Sequence, residues 1–74
     1  MEERIKQIMA DIFDIHPKKI NKYTSMDNVD SWDSLKHINL ILELEQEFKI
    51  SLDTKEIESM LSFDDILKTL KLKL

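Results

Sequence analysis

Cysteine and glycine are both missing from this chain, and proline occurs once, at Pro17. Without cysteine there is no disulfide framework, no thiolate nucleophile and no soft metal ligand. Without glycine the tight hairpin turns of a small sheet protein are hard to build, which favours an all-helical fold. Long apolar runs are missing too. Nothing approaches the roughly 20 residues of a membrane span, and Met1-Glu2-Glu3-Arg4 carries charge where a signal segment would be apolar. The expectation is therefore no membrane insertion and a cytoplasmic location. Positive charge is outweighed, with a formal net charge of −4. An acidic surface repels phosphate backbones, so nucleic acid is excluded as the expected partner, while proteins with basic docking surfaces are favoured.

What is present suits one small globule. The 74 residues are enough for a single domain, 1–74, with a thin core and little room for a deep catalytic pocket. The expected architecture is a four-helix bundle with a long first loop and a short third helix. From Glu2 to Asp14, Ile5, Ile8, Met9, Ile12 and Phe13 form the i, i+3, i+4, i+7, i+8 stripe of an amphipathic helix. Ile15-His16-Pro17 should stop it, because the residue before proline disfavours helix. From His16 to Trp32 the chain reads as irregular, with a short helical turn near Pro17 to Ile20. Ile20, Tyr23, Met26, Val29 and Trp32 are expected to pin this loop to the core. Met9, Met26 and Met60 read as core or loop filler, and His16 as a loop residue.

A second helix is expected from about Ser34 to Phe48, with Asp33 as N-cap. It has two apolar stripes. Leu40, Ile41, Leu44 and Phe48 suit the core. Leu35, Ile38 and Leu42 form a second stripe, and in a lone small domain such a stripe suggests a surface for a partner or a bound chain. Asp53-Thr54-Lys55-Glu56 reads as a capping box opening a third helix to about Met60. Ser62-Phe63-Asp64-Asp65 opens the fourth, which buries Phe63, Ile66, Leu67 and Leu70. Lys68, Lys71 and Lys73 lie toward its C-terminus, where cations are favoured.

Asp33-Ser34-Leu35 lies where the long loop becomes a helix. One reading is a simple cap that satisfies free backbone N–H groups. Another is a modification site, with the Ser34 hydroxyl exposed at the junction and a helix N-terminus that favours anions. A third makes Ser34 a nucleophile with His37, one turn on, as base. That third reading lacks a glycine elbow and an evident oxyanion hole, and a histidine near a helix start is ordinarily a surface residue. A calcium loop starting at Asp27 fails, since it would put Trp32 where glycine is needed and Ile38 where glutamate is needed. Trp32 reads as a packing anchor.

Along nearly its whole length the chain resembles the acyl carrier protein family. The resemblance runs from Glu3-Arg4-Ile5-Lys6 through the long loop and Asp33-Ser34-Leu35. It continues through Leu44-Glu45-Gln46-Glu47-Phe48, the short acidic third helix and the Ser62-Phe63 start of the last helix. It implies that Ser34 receives 4'-phosphopantetheine from coenzyme A through a separate phosphopantetheinyl transferase (a holo-carrier synthase), and that the arm's thiol carries acyl groups as thioesters. The protein would then be a monomeric carrier acted on by acyl-transferring enzymes, with no catalytic residue of its own. Asp33, Leu35, Ile38, Leu42 and Glu45 match positions at which family members dock partners. Ile41, Leu44, Phe48 and Leu67 are candidates to line an acyl pocket. Ser31-Trp32 stand where fatty-acid carriers usually have glycine, and Lys36, His37 and Asn39 where they have acids. This pattern resembles free-standing carriers of specialised pathways such as surface-polysaccharide or secondary-metabolite synthesis. A helical interaction module without cofactor is the alternative for the same surface.

Overall fold

The computed structural model describes all residues from Met1 to Leu74. Four helices follow in order: α1 (Glu2–Phe13), α2 (Ser34–Phe48), α3 (Thr54–Ser59) and α4 (Phe63–Lys73). A 3-10 turn, Pro17–Lys19, interrupts the long first loop. There are no strands, only an isolated bridge between Ser25 and Ser62.

Three of the four helices open on the side-chain caps that their sequences supply. Asp33 accepts the Lys36 N–H at 2.8 Å, opening α2. Asp53 and Glu56 exchange side chain-to-backbone bonds of 2.8 and 3.0 Å, a complete capping box for α3. Ser62 accepts the Asp65 N–H at 3.0 Å to open α4.

The ends of α1 and α2 show what a chain without glycine must do. Asp14 and Lys49 adopt left-handed conformations, with φ of 56° and 54°, where glycine is the usual choice. In both cases the next residue bonds five back: Ile15 N–H to the Ala10 carbonyl and Ile50 N–H to that of Glu45. The reversal turns Ile15 and Ile50 inward, and both pack against the core. Helix α1 thus stops at Phe13 with Asp14 as its cap, slightly before the position expected from Pro17 alone.

The core is built from Ile5, Met9, Phe13, Leu40, Leu44, Met60, Ile66 and Leu70, all essentially inaccessible. Helix α1 lies along α2, where the Arg4 guanidinium meets the Glu47 carboxylate at 3.0 Å. That contact raises the Arg4 pKa, chiefly through the hydrogen bond. The loop holds its shape through its own polar side chains. Asn28 accepts the Ser25 N–H and donates to the Tyr23 carbonyl, and Thr24 accepts the Asn21 N–H. Ser31 ties it to α1 through the Phe13 carbonyl, at 2.8 Å. Two backbone bonds, Met26 N–H to Leu61 and Phe63 N–H to Thr24, join it to the α3–α4 connection.

Of the five loop residues expected to anchor on the core, Ile20 and Trp32 are buried and Met26 and Val29 are partly so. Tyr23 is the correction: it is 72% exposed. Its backbone is held by Asn21 and Asn28, so its ring is not needed to fix the turn.

A left-handed non-glycine residue is strained by crowding of its Cβ. Lys49→Gly should therefore stabilise the fold by about 1 kcal/mol, read as a higher urea midpoint at unchanged slope.

Candidate functional site

Ser34 is the first residue of α2 and is exposed. Its hydroxyl has no hydrogen-bond partner within the chain, and the N–H groups of Ser34 and Leu35 are free as well. They face the positive end of a 15-residue helix. The Asp33 carboxylate, whose charge would oppose an anion here, accepts the Lys36 N–H.

Beside Ser34 opens a cleft of about 400 Å³ between the loop, α2 and α3. Met26, Ile38, Ile57 and Leu61 give it apolar walls, Glu58 lies at its edge, and His37 contributes to its lining. The site thus has an unbonded hydroxyl on solvent and a neighbouring apolar trough.

His37 is where sequence and structure differ most. A surface position was expected, yet the residue is only 8% exposed. The Trp32 indole N–H donates to His37 Nδ1 at 3.1 Å, and His37 Nε2 lies 2.9 Å from the Ile57 carbonyl. An indole N–H can only donate, so Nδ1 accepts and Nε2 carries the proton toward Ile57. Both ring nitrogens are engaged, which leaves neither free to take a proton from Ser34. Phe13 stacks on Trp32 at 4.7 Å, and Trp32 on His37 at 6.0 Å. A signal for this arrangement was present. A buried tryptophan needs an acceptor for its N–H, and His37 is the nearby ring able to supply one.

The remaining candidates separate by face. Leu35, Ile38 and Leu42 are 69%, 50% and 53% exposed, in a row running away from Ser34 along α2. Asp33 is exposed beside them. Glu45 is half-buried, and its carboxylate accepts the Leu52 N–H at 2.9 Å, closing the turn after α2. Ile41 and Leu44 are buried in the core, while Phe48 and Leu67 are partly buried against it. The other two surface clefts lie elsewhere, one along the first loop and one between α1 and α2.

Helix α3, one wall of the trough, is held to α4 by Lys73. Its ammonium meets Glu56 at 2.8 Å and the Ser51 carbonyl at 2.8 Å. The Lys73 hydrogen bond, then the Asp53 N–H, hold the Glu56 carboxyl below its ordinary range. Such a group binds protons less readily folded than unfolded. Its stabilisation is complete above the ordinary glutamate range and is lost as pH falls through the lowered value. Glu56→Gln should therefore lower stability near neutral pH. The gap to the wild type should close on acidification, as read from urea midpoints over a pH series.

No protein-family model matches the chain. It is nevertheless 32% identical over 65 residues to an acyl carrier protein of Thermosynechococcus vestitus, an alignment covering 88% of this chain and 80% of that one. An acyl carrier protein of Buchnera aphidicola is 39% identical over 61 residues, covering 81% and 75%. Among solved structures, the holo acyl carrier protein of Geobacter metallireducens superposes with a TM-score of 0.86 at 29% identity, over 97% of this chain and 83% of that one. A Mycobacterium tuberculosis protein assigned as an acyl carrier protein gives 0.85 at 25% identity, over 96% and 95%.

Proposed function

The chain belongs to the acyl carrier protein family, and from that premise we propose that residues 1–74 act as a carrier domain with Ser34 as the attachment point for 4'-phosphopantetheine. The observation that carries the proposal is the exposed, unbonded Ser34 hydroxyl at the head of α2. The chain's own groups suit a phosphodiester there. Two free N–H groups and the helix dipole offset its charge, and Asp33 already accepts the Lys36 N–H. The trough of Met26, Ile38, Ile57 and Leu61 offers apolar surface beside the attachment point. When bound, the group supplies the thiol that this cysteine-free chain lacks, and with it the means to hold carboxylates as thioesters.

In this reading Ser34 is modified by a phosphopantetheinyl transferase, and its proton passes to that enzyme, because both nitrogens of His37 are engaged. Leu35, Ile38 and Leu42, with Asp33, form the docking surface for the transferase and for acyl-transferring enzymes. A small apolar patch suits brief contacts that must release. Glu45 is the weaker docking candidate, since its carboxylate closes a turn. Ile41, Leu44, Phe48 and Leu67 would line any space opened for a buried acyl chain. The Trp32-to-His37 sequence pattern, which resembles free-standing carriers of specialised pathways, is the ground for preferring such a carrier to a fatty-acid carrier.

Co-expression with a phosphopantetheinyl transferase should add the mass of one arm, and Ser34→Ala should add none. A wild-type chain that stays unmodified with several competent transferases overturns the proposal and favours a cofactor-free interaction module.

Docking has a separate test. Leu42→Asp should change stability by less than about 0.5 kcal/mol, as expected of an exposed position. Transfer of cargo to a partner enzyme should slow by about tenfold, measured on the loaded protein, as expected for a central contact.

A further inference from the structure

We propose that the Trp32–His37–Ile57 hydrogen-bond relay latches the corner of loop, α2 and α3, so that a short acyl group carried on Ser34 stays in the surface trough and is not sheltered in the core. This inference rests on Ser34 being the attachment point. The trough next to Ser34 is framed by the same three elements that the relay joins. His37 is part of its lining and is backed by Trp32, which in turn stacks on Phe13. All three rings are buried.

A chain passing inward from the trough would have to part α3 from α2. That breaks the bond from His37 Nε2 to the Ile57 carbonyl and leaves the buried imidazole and a partly buried carbonyl unpaired. It also displaces the stack behind the ring. A short acyl group buries too few methylenes to offset that loss, and it gains as much by lying on Met26, Ile38, Ile57 and Leu61. His37 is thus a positioning residue that acts through Ile57 and Trp32 to keep cargo accessible to partner enzymes.

The test uses a transferase that accepts acyl-coenzyme A to load butyryl or octanoyl arms onto the wild type, His37→Ala and Trp32→Phe. Trp32→Phe keeps a ring against Phe13 but removes the N–H donor together with part of the buried indole, and it serves if His37→Ala does not fold. Intact mass comes first: no gain on the wild type overturns the attachment reading, and this inference with it. Loaded proteins are then treated with hydroxylamine. Wild-type butyryl and octanoyl thioesters should be cleaved at equal rates. Emission from Trp32, the single tryptophan, should be the same for both. In the variants the octanoyl thioester should become about tenfold slower to react, the weight of one lost buried hydrogen bond, with butyryl unchanged. Loss of fold would not produce protection that depends on chain length. The latch is overturned if wild-type octanoyl is already protected with shifted Trp32 emission, or if a folded variant gives no protection.

Discussion

The imidazole of His37 joins three parts of the chain that share no helix. It accepts from the loop through Trp32 and donates to α3 through Ile57, while its own backbone belongs to α2. The Trp32–His37 bond is buried and the His37–Ile57 contact partly so, and each would be costly to leave unpaired. No buried side-chain nitrogen or oxygen in the molecule lacks a partner. Helix α3 has only six residues and buries none of them fully, so it has little packing of its own to hold it. Its place depends on the His37 relay at one side and on Lys73 at the other. The wall of the trough beside Ser34 follows from those two attachments.

The absence of glycine shapes the rest. Two helices must end on residues with a Cβ, and strained caps at Asp14 and Lys49 are the result. What they accomplish is specific: Ile15 and Ile50 turn back into the core, which a 74-residue chain can ill spare. The first loop is likewise built without glycine. It relies on Asn21, Thr24, Asn28 and Ser31 to satisfy its backbone, and on Ile20 and Trp32 to sink it into the bundle.

Helix α2 concentrates the consequences for function. One face, with Leu40, Ile41 and Leu44, is core; another, with Leu35, Ile38 and Leu42, remains on solvent next to Ser34. A carrier needs this division. The packed face fixes the direction of the helix and hence of its N-terminus, and the open face is the one that the proposed docking would use. His37 lies on the packed face with Leu40, Ile41 and Leu44, one turn after Ser34.

Much of this could be read from residue order. The four helices, their caps at Asp33, Asp53 and Ser62, the two stripes of α2 and the junction at Ser34 all follow from local rules of periodicity and capping, which depend on neighbours a few positions apart. The structure was needed to decide the fates of Tyr23, His37 and Glu45. Tyr23 looked like an anchor, but the side chains of Asn21 and Asn28 hold its backbone and leave its ring on solvent. His37 looked like a surface residue because its partners lie five and twenty positions away. Glu45 looked like a free docking charge until the turn after α2 brought the Leu52 N–H to it. Local pattern sets which face of a helix is apolar; which polar group meets which across the bundle depends on packing, and that cannot be read from spacing.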